Sequence, residues 1–355
     1  MKKVTIQDVA KELNLSRNTV AKALNNSDMV AYETRYVVIE KAYEMGYTKI
    51  SPLVMNEFKL KNKTEEPKTI VVLTRREISI FWNRIIMGIS DELNKYSCKL
   101  QLNFISEEDE KNLILPVNLD NEASGIIILS VFSREYIRQI EKKSIPIVYL
   151  DAPSNVGTYP VKGDILYCEG NYSTRQMTKN LIDQGIKDIG FIGDITYCKT
   201  IADRYNGFIA AMMDSKIEID YSIIAVAHKP RRYYCMQEVK EALDGFSHIP
   251  KAIVCANDDI ALDAIRYLKQ KGYQVPNDVA ITGYDNVEEL AQVEPILTTV
   301  RVGNQRLGRR LVQQLLFRIK NPEFPMEMIS VGVEVIFRES SQIYPESAAR
   351  TSLIQ

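Results

Sequence analysis

Histidine is nearly missing from this chain: there are two in 355 residues, His228 and His248. Neither stands beside a second ligand type or an obvious acid or nucleophile, so both are read as solvent-exposed loop residues. The five cysteines (Cys98, Cys168, Cys198, Cys235, Cys255) contain no C-x-x-C pair. That spacing fits reduced thiols rather than disulfides or a metal cluster, and no metal or other cofactor is expected. No G-x-G-x-x-G opens a helix after the first strand and no G-x-x-x-x-G-K-[ST] occurs, which disfavours a nucleotide-dependent enzyme. No paired acid and base or activated nucleophile is visible either, so catalysis is not expected. No apolar run is long enough to span a bilayer, and Lys2 and Lys3 are not followed by a hydrophobic signal core, so a cytoplasmic protein without a membrane partner is expected. The net charge of −1 favours no partner by itself. What is present is globular: 45% hydrophobic and 26% charged residues, in a length that suggests two or three domains.

The most informative stretch is Val4–Asn25, VTIQDVAKELNLSRNTVAKALN. Ile6, Val9, Ala10 and Leu13 recur at i, i+3, i+4 and i+7, the spacing of one helical face. Thr5, with Asp8 three residues later, reads as an N-cap with an acidic partner in the first turn. Asn14 tolerates the left-handed conformation that a tight corner requires. Ser16 then caps a second helix with Val20, Ala23 and Leu24 facing inward. Arg17, Asn18, Thr19 and Lys22 are left outward, as donors suited to base edges and phosphates. A third helix is expected over Tyr32–Met45, with Val38, Ala42 and Met45 on one face and Gly46 as its stop. Residues 1–50 carry eight Lys and Arg against six Asp and Glu, a basic bias too weak to argue for nucleic acid alone. An ordinary helical hairpin is the bland reading of this segment. Two helices so short bury no core without a third, and about fifty residues make a marginal domain that needs a larger one behind it.

From Lys68 the pattern alternates. TIVVLT, KLQLNFI, SGIIILS, IPIVYLD and DILYCE are short apolar runs of the kind found in buried parallel strands, with helices expected over Phe81–Tyr96 and Arg134–Lys143. A second series, IGFIGD, SIIAVAH, AIVCAND and VAITGYD, alternates with helices near Asn171–Gln184, Ile201–Met213, Tyr234–Leu243 and Ile260–Lys271. This rhythm in two halves predicts two doubly wound parallel-sheet lobes with a crevice between them. Asp151, ending IPIVYLD, lies where a carboxyl strand end opens on such a crevice, although it also suits a loop cap.

The segment VTIQDVAKELNLSRNTVAKALNN…ETRYVVIEKAYEMGY resembles the headpiece of the lactose-repressor (LacI/GalR) family, whose pattern runs T-I-x-D-V-A, V-S-x-x-T-V-S-R-x-L-N, T-R-x-x-V and G-Y. The match runs from Thr5 to Tyr47 at matching spacing. Further on, ADRYNGF is similar to the family's R-x-x-G-F element, CANDDIAL to its A-N-D segment and ITGYDN to V-x-G-[FY]-D. EPILTTVRVGNQRLG matches P-x-L-T-T-V and the glycine-bearing last helix, and FRESS the closing R-x-S-[ST], so the resemblance extends to about Ser341.

The resemblance implies an all-α helix-turn-helix headpiece (1–50), a hinge or linker (51–67), a two-lobe periplasmic-binding-protein-like effector and dimerisation domain (68–341) and a tail (342–355). It places Arg17, Asn18 and Lys22 at base-reading positions, and Thr5, Ser16, Thr19, Asn25, Thr34 and Tyr47 at phosphate-holding positions. Asn14, Ala21 and Lys22 depart from the family's glycine, serine and arginine. Lysine lacks the bidentate fork, so weaker or different guanine reading is expected at that step. The family's P-N-x-x-A-R-S-L hinge is absent. Ser51-Pro52 and LVMNEFKL allow a short hinge helix that orders on DNA with Met55 or Leu60 as a minor-groove wedge, and this reading is preferred to the flexible tether that KLKNKTEEPK also suits.

In the crevice the resemblance places Arg204, Asn257 and Asp285 on the effector. Arg204 offers a planar fork of donors, Asp285 accepts and Asn257 does both, which suits a polyol. Asp151, Phe81, Trp82 and Tyr233 (or Tyr234) are further candidates, the aromatics as a wall for a sugar face, although Phe81 and Trp82 fit a core equally well. Glu169 stands where the family has aspartate. The expected protein is a homodimeric, sequence-specific transcription regulator, a repressor, binding double-stranded operator DNA under the control of a small molecule, a sugar or sugar derivative. The tail has no leucine heptad to form a tetramer. A sugar-binding receptor and an enzyme on the same scaffold are the alternatives.

Overall fold

The structure is a computed structural model that describes residues 4–25, 30–51, 54, 68–75, 80–119, 123–158, 160–226, 235–286 and 296–343. The chain divides into two compact units, Met1–Pro67 and Lys68–Gln355.

In the first unit, α1 (Ile6–Glu12) begins at a capping box in which Thr5 and Asp8 satisfy each other's backbone N–H groups. Asn14 takes φ +54° at the corner, and α2 (Arg17–Leu24) starts from Ser16, whose hydroxyl accepts from the Thr19 amide at 3.0 Å. The third helix, α3 (Tyr32–Glu44), ends at Gly46 with φ +77°, a backbone that favours glycine. Val9, Ala10, Val20, Ala23, Leu24, Val38, Ile39 and Ala42 bury one core, which Ile50 and Val54 extend. Met45 is only partly buried at its rim.

In the second unit, β1 (Thr69–Arg75), α4 (Ile80–Lys95), β2 (Lys99–Ile105), the short α5 (Glu107–Lys111), β3 (Ala123–Ile128), α6 (Arg134–Glu141), β4 (Ile147–Leu150) and β5 (Asp164–Cys168) build the first lobe. The chain then forms α7 (Asn171–Asp183), β6 (Ile189–Ile192), α8 (Lys199–Asp214), β7 (Ile224–Ala225), α9 (Met236–Asp244), β8 (Ala252–Cys255), α10 (Asp258–Gln270) and β9 (Ala280–Thr282). After β10 (Thr299–Arg301) it returns through α11 (Asn304–Lys320) and β11 (Met328–Val331) to the first lobe, and ends with β12 (Glu334–Ile336).

Two parallel sheets result, ordered β11-β5-β4-β3-β1-β2 and β7-β6-β8-β9, with β10 and β12 as a separate antiparallel pair. The central strands are almost wholly buried apolar runs, as sheets covered by helices on both faces require, whereas the edge strands β2, β7 and β11 are partly exposed. The SIIAVAH run supplies less strand than its composition predicts, because Asp220 caps a 3-10 turn over Tyr221–Ile223 by accepting from the Ser222 amide at 2.9 Å.

Two features fasten the returning C-terminal segment. Helices α4 and α11 cross with backbones touching: a Cβ on Gly88 would lie 2.1 Å from the Gln305 carbonyl oxygen, and one on Gly308 2.1 Å from that of Ile85. Beside β11, Arg318 grips the fully buried Asp164 with Nε at 3.0 Å and Nη2 at 2.5 Å, while Gln314 and the Glu327 amide donate to the same carboxylate at 2.7 and 2.9 Å. Every carboxylate lone-pair direction is thereby used, which a buried charge requires.

Candidate nucleic-acid interface and inter-lobe crevice

Helix α2 is one-sided. Val20, Ala23 and Leu24 are buried, and Arg17, Asn18 and Asn25 are exposed, with Thr19 and Lys22 half-buried between them. The hydroxyls of Ser16 and Thr19 lie 2.8 Å apart and close the first turn, so both are held at the helix start where unpaired amides favour an anion. Thr5 donates its hydroxyl proton to Asp8 at 2.6 Å. Thr34 and Tyr47 are half-buried, Tyr47 against the headpiece core. Met55 and Leu60, the two wedge candidates, fall outside the described residues, as do Tyr233 and Tyr234.

The candidate effector cluster centres on Arg204. It lies on α8 with 7% of its surface exposed, donates through Nη1 to the Ala256 carbonyl at 2.5 Å and has Nη2 3.6 Å from Asp285 Oδ1. The guanidinium carbon rests 3.5 Å from the centroid of the Tyr284 ring, a cation–π contact. Tyr284 is itself buried and donates its hydroxyl proton to the Glu169 carbonyl, so its ring is fixed under the arginine. Asp285 holds φ +114°, a backbone unusual for a residue with a side chain, and its amide donates to the Val300 carbonyl at 3.0 Å. Burial pushes the Asp285 carboxyl up to about 7, against the pull of Arg204. Asn257 stands next to Ala256 and is buried, but its Oδ1 accepts from the Ile260 amide at 3.0 Å as the N-cap of α10. Arg204, Asn257 and Asp285 are thus gathered around the carboxyl ends of β8 and β9.

Asp151 is also close, yet its oxygens are engaged. Oδ1 accepts from the Ala152 and Thr200 amides at 2.7 and 3.3 Å, and Oδ2 accepts from the Thr200 hydroxyl. It therefore serves the first turn of α8 from the opposite lobe. The Lys199 amide donates to the Ala152 carbonyl at 2.8 Å and the Ser154 hydroxyl to the Thr196 carbonyl at 3.0 Å, continuing the same seam. Glu169 is used similarly, accepting from the Tyr172 and Ser173 amides at the start of α7. Phe81 and Trp82 open α4, meet edge to face at 5.0 Å and pack against the core beneath the first sheet, which gives the core reading of this pair a physical footing. Two contributors escaped the sequence reading. Tyr284 had a signal, the aromatic of the G-Y-D motif. Thr200, four residues before Arg204 on the same helical face, had only that spacing.

With this geometry in place, comparison with known proteins is decisive. Residues 5–49 match the family described as bacterial regulatory proteins, lacI family, and residues 178–341 match the periplasmic binding protein-like domain. The chain thus joins a lacI-type helix-turn-helix domain to a periplasmic-binding-protein-like domain. Among similar proteins, the HTH-type transcriptional repressor PurR of Pasteurella multocida (strain Pm70) is 29% identical over 346 residues, covering 95% of this chain and 98% of the relative. The probable HTH-type transcriptional repressor ExuR of Bacillus subtilis (strain 168) is 28% identical over 354 residues, with 95% and 98% covered. Among solved structures, the transcriptional regulator CelR–cellobiose complex superposes with a TM-score of 0.67 at 21% identity, over 95% of this chain and 100% of that one. The lac repressor dimer bound to operator and the anti-inducer ONPF gives 0.64 at 21% identity, over 96% and 99%. This chain therefore shares the fold of those structures, a helix-turn-helix headpiece with a two-sheet α/β domain. Among its described residues no helix is long and apolar enough to cross a membrane, and no three His, Cys, Asp or Glu side chains are grouped to hold a metal ion.

Proposed function

We propose that this LacI-family regulator is a cytoplasmic repressor that binds a near-palindromic operator as a homodimer and releases or tightens its hold when a small polyol enters the crevice around Arg204. The observation that carries this reading is the presence, in one chain, of an α2 that exposes Arg17 and Asn18 from a capped first turn and of a crevice that gathers Arg204, Asn257 and Asp285. Arg17, Asn18 and Lys22 read bases in the major groove, and Thr5, Ser16, Thr19, Asn25, Thr34 and Tyr47 hold the backbone. Arg204 and Asp285 bind hydroxyls as donor and acceptor, and Asn257 contributes chiefly by fixing the start of α10. No step of the reading requires catalysis. The relatives named repressors support the direction of control.

The test is binding of the full-length protein to its own upstream region. Arg17→Ala should cost about 1–3 kcal/mol on the preferred operator and relax base preference at one position of each half-site. Arg204→Ala should retain operator affinity and lose the effector's influence on it. Equal loss on all DNA sequences for Arg17→Ala would reassign that residue to the phosphate backbone.

A further inference from the structure

Arg75 is the last residue of β1, an interior strand of the first sheet, and it emerges at the carboxyl edge where crevices form in such sheets. Its guanidinium is fixed from one side. Nη2 lies 2.8 Å from Glu110 Oε2 and donates to the Val131 carbonyl at 3.2 Å, the guanidinium carbon is 5.2 Å from the Phe132 ring centroid, and the backbone amide donates to the Ser130 hydroxyl at 3.0 Å. Its Nε is buried and meets no acceptor among the described residues. A buried charged donor without a partner is costly, and such a donor persists where something else satisfies it. The neighbouring Val131 packs against the hydrophobic core of the second lobe, so Arg75 is anchored at the line where the two lobes meet.

The rest of the crevice is arranged to tolerate negative charge. Arg204 faces it from the second lobe, and its contact with Asp285, at 3.6 Å, is longer than a hydrogen bond. The carboxylates of Asp151 and Glu169 are turned to the amide ends of α8 and α7, whose donors offset part of their charge. Burial weakens Asp285 as a fixed negative charge at neutral pH. Lys199, at the seam, lies 4.2 Å from the Tyr167 ring centroid but is ion-paired with Asp203, so it adds no uncompensated charge.

We propose that Arg75 is an anion subsite contributed by the first lobe, and that the effector is a small polyol bearing a carboxylate or phosphate. The proposal rests on the effector-binding reading given above and narrows it to one chemical class. With Nη2 engaged by Glu110 and Val131, the positive charge and the remaining Nε and Nη1 donors are what Arg75 offers, and a full negative charge gains more from them than a hydroxyl does.

Calorimetric titration of the full-length protein at constant ionic strength tests this, with D-glucuronate, D-galacturonate and D-glucose 6-phosphate set against D-glucose and D-galactose. One anionic member should bind at least about tenfold tighter than its neutral parent, the uronates and the phosphate telling carboxylate from phosphate. Arg75→Met should weaken that anion about tenfold or more and leave the neutral sugar unchanged, and Arg75→Lys should restore part of the loss. Glu110→Gln, which keeps the acceptor for the Ser133 amide but removes the competing charge, should tighten the anion. A purely structural Arg75–Glu110 pair gives the opposite sign. Neutral sugars binding as well as the anions, or unchanged anion affinity in both Arg75 variants, overturns the proposal and leaves a neutral-polyol crevice standing. If none of the five compounds binds, the proposal and the carbohydrate reading beneath it both fall.

Discussion

Asp285 combines an unusual backbone, burial and a long-range arginine partner in one residue. Its carboxyl ionises near 7 in the folded chain, against an ordinary value of 3.8. Between those values the native state keeps a proton that the unfolded chain has released, so folding stability attributable to this residue falls as pH rises through that window. Asp285→Asn should therefore gain stability over the wild type progressively from about pH 4 to about pH 7 and hold a constant difference above it. Urea unfolding midpoints of the two proteins across that range decide the matter, and a pH-independent difference would show that Asp285 stays ionised in the fold. Sequence reasoning reached this residue through the G-Y-D motif, and reached Arg204 and Asn257 in the same way. It could not anticipate that Asn257 Oδ1 and both oxygens of Asp151 are spent on helix starts, because a side chain's partners come from residues 49 positions away in the case of Thr200. Arg75 was illegible for the same reason: a strand-final arginine is unremarkable until Glu110, Val131 and Phe132 are seen around it.

The elements with an internal period were legible. Except for α11, reached only through the resemblance to the family's last helix, each long helix and each central strand lies where its apolar spacing put it, within a few residues, because a periodic face carries its own evidence of burial. The elements that failed to announce themselves are short and edge-lying. Strand β11 is half-exposed, and β10 and β12 have three residues each, so neither run length nor alternation marks them. The crossing of α4 and α11 shows how much energy sits in a detail that period alone does not display. Gly308→Ala would drive a methyl group into the Ile85 carbonyl, and backbone on both sides leaves nothing flexible to yield. A cost of about 3 kcal/mol or more is expected, read as a lower denaturation midpoint, with Gly88→Ala behaving alike. Gly303→Ala is the control, since its nearest neighbours are side-chain atoms of Arg306 at 3.6 Å and beyond.

Across the effector domain, the seam from Asp151 and Ala152 to Lys199 and Thr200 ties one lobe to the first turn of the helix that carries Arg204 one turn later. Thr200→Val should remove one donor from Asp151 and loosen that tie. Amide hydrogen exchange at Lys199 and Thr200 should accelerate about tenfold, with Ile253 and Val254 in the second sheet unchanged. Uniform acceleration would mean that the seam is no weaker than the lobes it joins. The way the chain threads these lobes has another consequence, which concerns its birth rather than its working state. The first sheet is not complete until β11 has joined β5, and Asp164 is not neutralised until Arg318 arrives. During synthesis more than 150 residues leave the ribosome after Asp164 before that partner exists, with the β5 edge open meanwhile. The second lobe, whose sheet closes with β9, has all its strands in hand earlier. Nascent chains stalled before Arg318 should thus hold a complete second sheet, more resistant to proteolysis, while the first sheet remains open and cleavable, so the sheet that starts the domain is the later of the two to close.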